Sequence, residues 1–446
     1  SFALRELGCT AGVVVTASHN PPQYNGYKVY WEDGAQITAP KDKQIITEVQ
    51  AITDFAQVKT MSEEDAKAAG LYEVIGEEID DKYMEALKKL VLRPEAIKEQ
   101  ADKLKIVYTP LHGTGNIPVR RVLKELGFNN VYVVKEQELP DGDFPTVSYP
   151  NPEDKNAFTL ALKLAAEVDA DIVLATDPDA DRLGIYAKNE KTGEYESFTG
   201  NMSGMLILEY LLSQRKELGM LPENGAVVTT IVSGKMARAI AKEYIVELIE
   251  TLTGFKYIGE QIKFFEQNHD HEFLFGYEES YGCLEGTHAR DKDAVVAVMA
   301  LCEAAAYYKS KGITLCEQMQ NLYQKYGFYK ESLFFQTFQG MEGKAKIDGL
   351  MDALRNEPPK QVGPFKVTAL EDYKKSIRTD IATGETSALT LPESNVLYFE
   401  LEDGAWFCVR PSGTEPKIKY YAGVKGADAQ DATDKLEALS KAVVEL

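Results

Sequence analysis

Short apolar runs that end in polar or Gly/Pro-rich turns recur along this chain, with helical stretches between them. Gly12–Thr16, Lys105–Tyr108, Val131–Val134, Ile172–Ala175, Ala226–Ile231 and Phe273–Phe275 read as strands. Residues 41–100, the stretches ending at Glu125 and Val168, and residues 201–218, 293–309 and 310–326 read as helical. Such alternation predicts an α/β fold with a largely parallel sheet. At 446 residues the chain is too long for one ordinary core. After Tyr326 the texture changes to a helix (344–355), a hairpin around Glu402-Asp403-Gly404 and a closing helix (427–446), which predicts an α+β unit. The expected domains are 1–100, 101–196, 197–325 and 326–446.

Charge narrows the function. With 49 basic and 70 acidic residues the net charge is −21, which disfavours nucleic acid and anionic membrane surfaces as partners. A phosphate-bearing ligand would need clustered cations to overcome that field. The five cysteines form no C-x-x-C pair, which fits free thiols in a reducing cytoplasm. The most apolar run, residues 294–308, contains Glu303 and is too short to span a bilayer.

Four segments carry chemistry. Thr16-Ala17-Ser18-His19-Asn20 follows the run Gly12–Thr16, which reads as a buried strand, and so sits where α/β proteins place ligands. If this segment is extended, His19 is poorly placed as a base for Ser18. Asp177-Pro178-Asp179-Ala180-Asp181-Arg182 follows the strand Ile172–Ala175. In an extended segment its three carboxylates share one side and repel, a conflict that a hard divalent cation, magnesium or calcium, resolves. An EF-hand is excluded because Arg182 and Lys188 stand where that loop needs Gly and Glu. Gly276-Tyr277-Glu278-Glu279-Ser280-Tyr281-Gly282 offers donors and acceptors suited to sugar hydroxyls, and Arg290-Asp291-Lys292-Asp293 reads equally well as a charged helix start. Arg410-Pro411-Ser412-Gly413-Thr414-Glu415-Pro416-Lys417 supplies the guanidinium, hydroxyls, backbone amides and ammonium that a phosphate monoester needs. No P-loop, complete G-x-G-x-x-G, H-E-x-x-H or paired-Cys site is present.

In this order and spacing the four segments resemble the alpha-D-phosphohexomutases, the phosphoglucomutases and phosphomannomutases, over essentially the whole chain. Asp177–Arg182 and Asn25-Gly26-Tyr27-Lys28-Val29-Tyr30-Trp31 look most like the phosphoglucomutase and phosphopentomutase-like branch. The resemblance implies three related α/β domains, the first incomplete, and a C-terminal α+β domain around a central cleft. It implies interconversion of sugar 1-phosphate and 6-phosphate, glucose first and mannose or pentose as alternatives, with glucose 1,6-bisphosphate as activator. By the same resemblance Ser18 is the phosphoserine, and Asp177, Asp179 and Asp181 hold magnesium with a phosphoserine oxygen. Arg182 lies beside the metal, and His19, Lys28 and Lys292 lie near the transferring oxygens, with Lys28 and Lys292 both candidates for general acid/base. Thr253, Gly254 and Lys256 belong to a sugar-recognition loop, and Glu278 and Ser280 grip hydroxyls. Arg410, Ser412, Gly413, Thr414 and Lys417 hold the phosphate that is not transferred.

Two rivals are a phosphatase with Asp177 as nucleophile and an inactive sugar-phosphate-binding fragment. The run Val13–Val15 is apolar on both faces and should be an interior strand with a neighbour on each side. Few residues precede it, so the first domain is expected to expose apolar surface, bind sugar phosphate weakly and turn over poorly.

Overall fold

The computed structural model describes residues 1–338, 342–412 and 417–446, the side chain of residue 342 excepted. They form two compact units. The first comprises Ser1–Val228 with Gly254–Cys316, the second Thr229–Thr253 with Glu317–Leu446.

In the first unit, β1 (Ala11–Val15) pairs antiparallel with β2 (Tyr27–Trp31) in a two-stranded sheet. Val13 and Val15 are 62% and 78% exposed, so the expectation of a buried strand is corrected. The apolar run does favour extended backbone, but β2 is its only strand partner among the described residues and the face bearing Val13 and Val15 is open. The expected exposure of apolar surface is therefore present at this strand.

A five-stranded sheet follows, built from β3 (Ile106–Thr109), β4 (Val131–Val133), β5 (Ile172–Thr176), β6 (Leu183–Lys188) and β7 (Tyr195–Phe198), in the order β4-β3-β5-β6-β7. β3 runs parallel to β4 and β5, whereas β5–β6 and β6–β7 are antiparallel. The sheet is therefore mixed, not largely parallel. The return β6 follows β5 after only the short aspartate turn, and so short a link can only reverse direction. β3 and β5 are buried at every position, with the helix Thr159–Val168 packed over them. β8 (Gly225–Thr230), β10 (Glu272–Tyr277) and β11 (Cys283–Glu285) lie in the order β11-β10-β8, while β9 (Glu247–Thr251) belongs to the second unit. The helix Ala294–Ser310 is buried along nearly its whole length. No helix among the described residues is long and apolar enough to cross a membrane.

The second unit is dominated by an antiparallel sheet of β12 (Phe328–Thr337), β13 (Gln361–Val362), β14 (Phe365–Asp372), β15 (Ile377–Asp380), β16 (Thr386–Ala388), β17 (Leu397–Leu401), β18 (Trp406–Pro411) and β19 (Lys417–Gly426). Its order is β12-β19-β18-β17-β14-β15-β16, with β13 on β14, and the predicted hairpin is β17–β18. The helices Glu342–Asn356 and Ala429–Val444 cover a core that includes Met351, Leu397, Phe399, Phe407 and Leu439. The fold is multidomain α/β with a C-terminal α+β unit.

Candidate active site

The aspartate segment is a turn, not the extended strand assumed from its alternation. Ala180 adopts φ 55° and its amide donates to the Asp177 carbonyl. Asp177 Oδ1 accepts from the amides of Asp181 and Arg182, at 3.0 and 2.9 Å. The carboxylates thus converge because the chain folds back on the first of them. One oxygen from each of Asp177, Asp179 and Asp181 lies within 4.8 Å of the others. Asp177 Oδ2, Asp179 Oδ1 and Asp181 Oδ1 are buried and accept no hydrogen bond. Uncompensated buried carboxylate oxygens are costly, and three together in an all-oxygen set fit a hard divalent cation. Burial, then the charges of Asp181 and Asp179, push the Asp177 carboxyl well above its ordinary range.

Ser18 lies on the turn after β1, half-buried, with φ 55°. Its Oγ is 3.1 Å from His19 Nδ1, so the expectation that His19 is badly placed is corrected. The left-handed Ser18 backbone bends the segment and lets adjacent side chains meet. Thr16, which sequence reasoning gave no role, joins this turn to the aspartates. Its hydroxyl accepts from the Ser18 amide at 2.7 Å and donates to Asp179 Oδ2 at 3.1 Å. Lys28, on β2, donates to Asp179 Oδ2 at 2.9 Å and Asp181 Oδ2 at 2.7 Å.

Lys292 closes the cluster, 2.9 Å from Asp181 Oδ2 and 3.6 Å from Asp291 Oδ1. Burial works against its charge, but Asp181, Asp291 and Glu278 outweigh it and raise the Lys292 ammonium well above the ordinary lysine range. Burial would likewise raise Asp181, yet Lys292, Lys28 and Arg182 hold it far below the carboxylate range. Arg182 donates to Glu153 at 2.6 Å and stands 4.0 Å from Asp177 Oδ2. Backbone bonds tie the loops together: Leu183 N donates to Tyr281 O, Ala294 N to Ala180 O and Glu278 N to Gly282 O. A Cβ at Gly282 would sit 2.3 Å from Lys292 Cδ and 3.3 Å from Glu278 Oε1, so only glycine lets both side chains pass. Glu278 is buried and Ser280 half-buried.

The charged run around Lys292 is both a site and a helix start. Asp293 caps the helix Ala294–Ser310 by accepting from the Val295 and Val296 amides, and also accepts from Tyr83 and His288. Tyr30 donates to Asp291 at 2.6 Å. Tyr30 and Tyr83 had no assigned role, because their partners lie far away in sequence, and neither had His288, whose partner Asp293 is five residues on. A cavity of about 500 Å³ opens beside the cluster, lined among others by Lys28, Tyr30, Asp179, Asp181, Asp291 and Lys292.

Other expected residues lie elsewhere. Gly254 takes φ 118° ahead of the helix Phe255–Asn268, with Thr253 before it and Lys256 in its first turn over the Tyr257 ring. In the second unit, Arg410 is next to last on β18, opposite Lys419, the Ser412 amide donates to the Lys417 carbonyl at 2.7 Å, and Lys417 lies over the Phe335 ring. Gly413 and Thr414 fall outside the described residues.

Models of the phosphoglucomutase/phosphomannomutase family match in chain order: alpha/beta/alpha domain I at residues 1–55, domain II at 81–192, domain III at 199–326 and the C-terminal domain at 355–439. A phosphoglucomutase of Staphylococcus epidermidis is 39% identical over 426 residues, 95% of this chain and 75% of that protein. The chain belongs to the phosphoglucomutase/phosphomannomutase family. It is a mutase, an enzyme of the isomerase class. A Staphylococcus aureus phosphoglucomutase is 37% identical over 98% of this chain and 77% of its own length. Among solved structures, parafusin (phosphoglucomutase) from Paramecium in its open form shares the fold at a TM-score of 0.66 and 18% identity, over 100% of this chain and 78% of that one. The Aspergillus fumigatus N-acetylphosphoglucosamine mutase, solved with GlcNAc-6P and magnesium, shares it at 0.53 and 15%, over 100% and 90%. Membership of this family implies a metal ion, and the aspartate triad fits one.

Proposed function

We propose that the chain interconverts a sugar 1-phosphate and a sugar 6-phosphate, glucose 1-phosphate first, by passing a phosphoryl group through Ser18. The observation that carries this reading is the joining of the Ser18 turn to the aspartate turn by Thr16 and Lys28, which supports Ser18 as the nucleophile and the three carboxylates as the cation site. Asp177, Asp179 and Asp181 would hold magnesium, which when bound neutralises charge on the phosphoryl oxygens.

In the forward half the bond between phosphorus and Ser18 Oγ breaks while one forms to the sugar hydroxyl oxygen. The sugar hydroxyl loses its proton as Ser18 Oγ, the leaving oxygen, gains one. Lys28 and Lys292, both charged as their carboxylate partners hold them, are the candidates for the acid that gives a proton to Ser18 Oγ and, once neutral, takes the hydroxyl proton. In the return half the other phosphate of the bisphosphate moves to Ser18. Phosphate monoesters react very slowly unaided, so fixed cations and orientation supply the rate. Lys28, Lys292 and Arg182 are held by carboxylates and cannot drift as the phosphoryl group moves. Glu278 and Ser280, with the loop from Thr253 to Lys256, would take the sugar hydroxyls. Arg410, Ser412, Gly413, Thr414 and Lys417 would take the phosphate that stays. Glucose 1,6-bisphosphate would act as activator by loading Ser18, and five cysteines that form no disulfide suit a cytoplasmic setting.

The test is a coupled assay over glucose, mannose and ribose 1-phosphates, with and without magnesium and the bisphosphate. The expected result is magnesium-dependent turnover, fastest with glucose 1-phosphate. Release of inorganic phosphate without isomerisation would point to a phosphatase, and ligand binding without turnover to a binding remnant.

A further inference from the structure

Lysine is seldom buried, and Lys235 in the second unit is only 8% exposed. It also caps the N-terminus of the helix Met236–Tyr244, where the helix dipole disfavours a cation. Something else must hold it there. Its ammonium donates to the Ile231 carbonyl at 2.8 Å and to Glu250 Oε1 at 2.7 Å. The same ammonium lies 5.3 Å from the ring centre of Tyr398 and 5.2 Å from that of Trp406. Those two rings stack 5.4 Å apart and 12° from parallel. Trp406 is seated in turn against Gly423 on β19, where a Cβ would come within 2.3 Å of the indole nitrogen. Glu250 also receives Arg238, so its charge is met from two sides. Burial loosens the hold of Lys235 on its proton, and Glu250 works in the opposite direction.

Two of the partners of Lys235 stand on the strands that lead into proposed substrate loops, and Tyr398 is on β17. Glu250 is on β9, three residues before Thr253, and Trp406 is on β18, four residues before Arg410. We propose that Lys235 is a positioning residue that ties the end of β9 to the start of β18, the strand that carries Arg410, so that the Thr253 and Arg410 loops grip one sugar phosphate in register. This rests on the reading that those loops bind the sugar and its non-transferred phosphate. A buried cation suits the task. Its hydrogen bonds and ring faces are directional, and losing any one leaves charge unmet in a dry site.

The experiment measures kcat, KM for glucose 1-phosphate and the thermal midpoint for the wild type, Lys235→Met, Lys235→Arg, Trp406→Phe and Arg410→Ala. Lys235→Met should raise KM about 5–10-fold with kcat within about threefold, a coupling loss of ordinary size. Lys235→Arg, which keeps the charge, should recover most of that loss. Trp406→Phe, which keeps a ring, should move KM the same way by a smaller factor and serves if Lys235→Met fails to fold. In the wild type, Thr253→Ala and Arg410→Ala should combine non-additively in KM, and in the Lys235→Met background additively. An unchanged KM for Lys235→Met while Arg410→Ala raises it would overturn the positioning role and leave the loop reading standing. If Arg410→Ala also leaves KM unchanged, the loop reading falls and takes the positioning role with it. A lower thermal midpoint with wild-type KM in the surviving enzyme would mean that Lys235 only stabilises the fold, and would overturn the proposal.

Discussion

β1 and β5 each deliver a loaded turn, yet they stand in opposite surroundings. β5 is buried at all five positions, between β3 and β6, and hands the chain to Asp177. β1 pairs with β2 alone among the described residues, shows Val13 and Val15 to solvent, and hands the chain to Thr16 and Ser18. The difference teaches where rigidity comes from. The aspartate turn is fixed by the sheet behind it. The serine turn is fixed mainly from the front, by Thr16 and Lys28 reaching the aspartates. The second anchorage is electrostatic, and it is shared with the chemistry.

The contrast can be broken in its packing first. Leu174→Ala on β5 removes a fully buried side chain and should cost about 2–5 kcal/mol of stability, read by urea unfolding. A cost below about 1 kcal/mol would mean that the sheet does not hold the aspartate turn. Next comes the shared anchorage. Asp179→Asn removes the negative charge that Thr16 and Lys28 both meet and leaves one accepting oxygen in place of two, and turnover should fall about 10²–10³-fold. Because the variant loses both a carboxylate of the proposed metal set and the hold on the serine turn, magnesium dependence should weaken and cleavage by trypsin near Lys28 should quicken. Intact turnover in Asp179→Asn would sink the idea that one carboxylate serves both ends. The smallest effect is expected on β1 itself. Val13→Thr with Val15→Thr keeps β-branched residues on an exposed strand and should change stability by no more than about 0.5 kcal/mol, with less binding of a hydrophobic dye. A large loss of stability there would show that the valines are packed in solution.

Much of this was legible in the residues. Strand–turn–helix punctuation located β3, β5, β8 and β10 to within a residue or two, because buried strands leave uninterrupted apolar runs. The aspartates were legible as a cation site because charge repulsion at close spacing needs an answer. What the residues hid was backbone shape and distant company. Alternation suggested an extended aspartate segment, whereas the left-handed Ala180 closes a turn. A valine run predicts a strand but not what covers it, and the Val13 and Val15 face of β1 is open. Tyr30 and Tyr83 meet Asp291 and Asp293 across more than two hundred residues, a pairing that no local pattern announces.

The central claim is that the phosphoryl group passes through Ser18, and the most direct measurement follows that group. The protein is incubated with magnesium and glucose 1,6-bisphosphate carrying labelled phosphorus, then digested and mapped by mass spectrometry. Label should appear on the peptide bearing Ser18, leave it when unlabelled glucose 1-phosphate is added, and be recovered in glucose 6-phosphate. Ser18→Ala should take no label there and show no turnover above background. Label trapped on the Asp177 peptide, or wild-type turnover in Ser18→Ala, would contradict the mechanism.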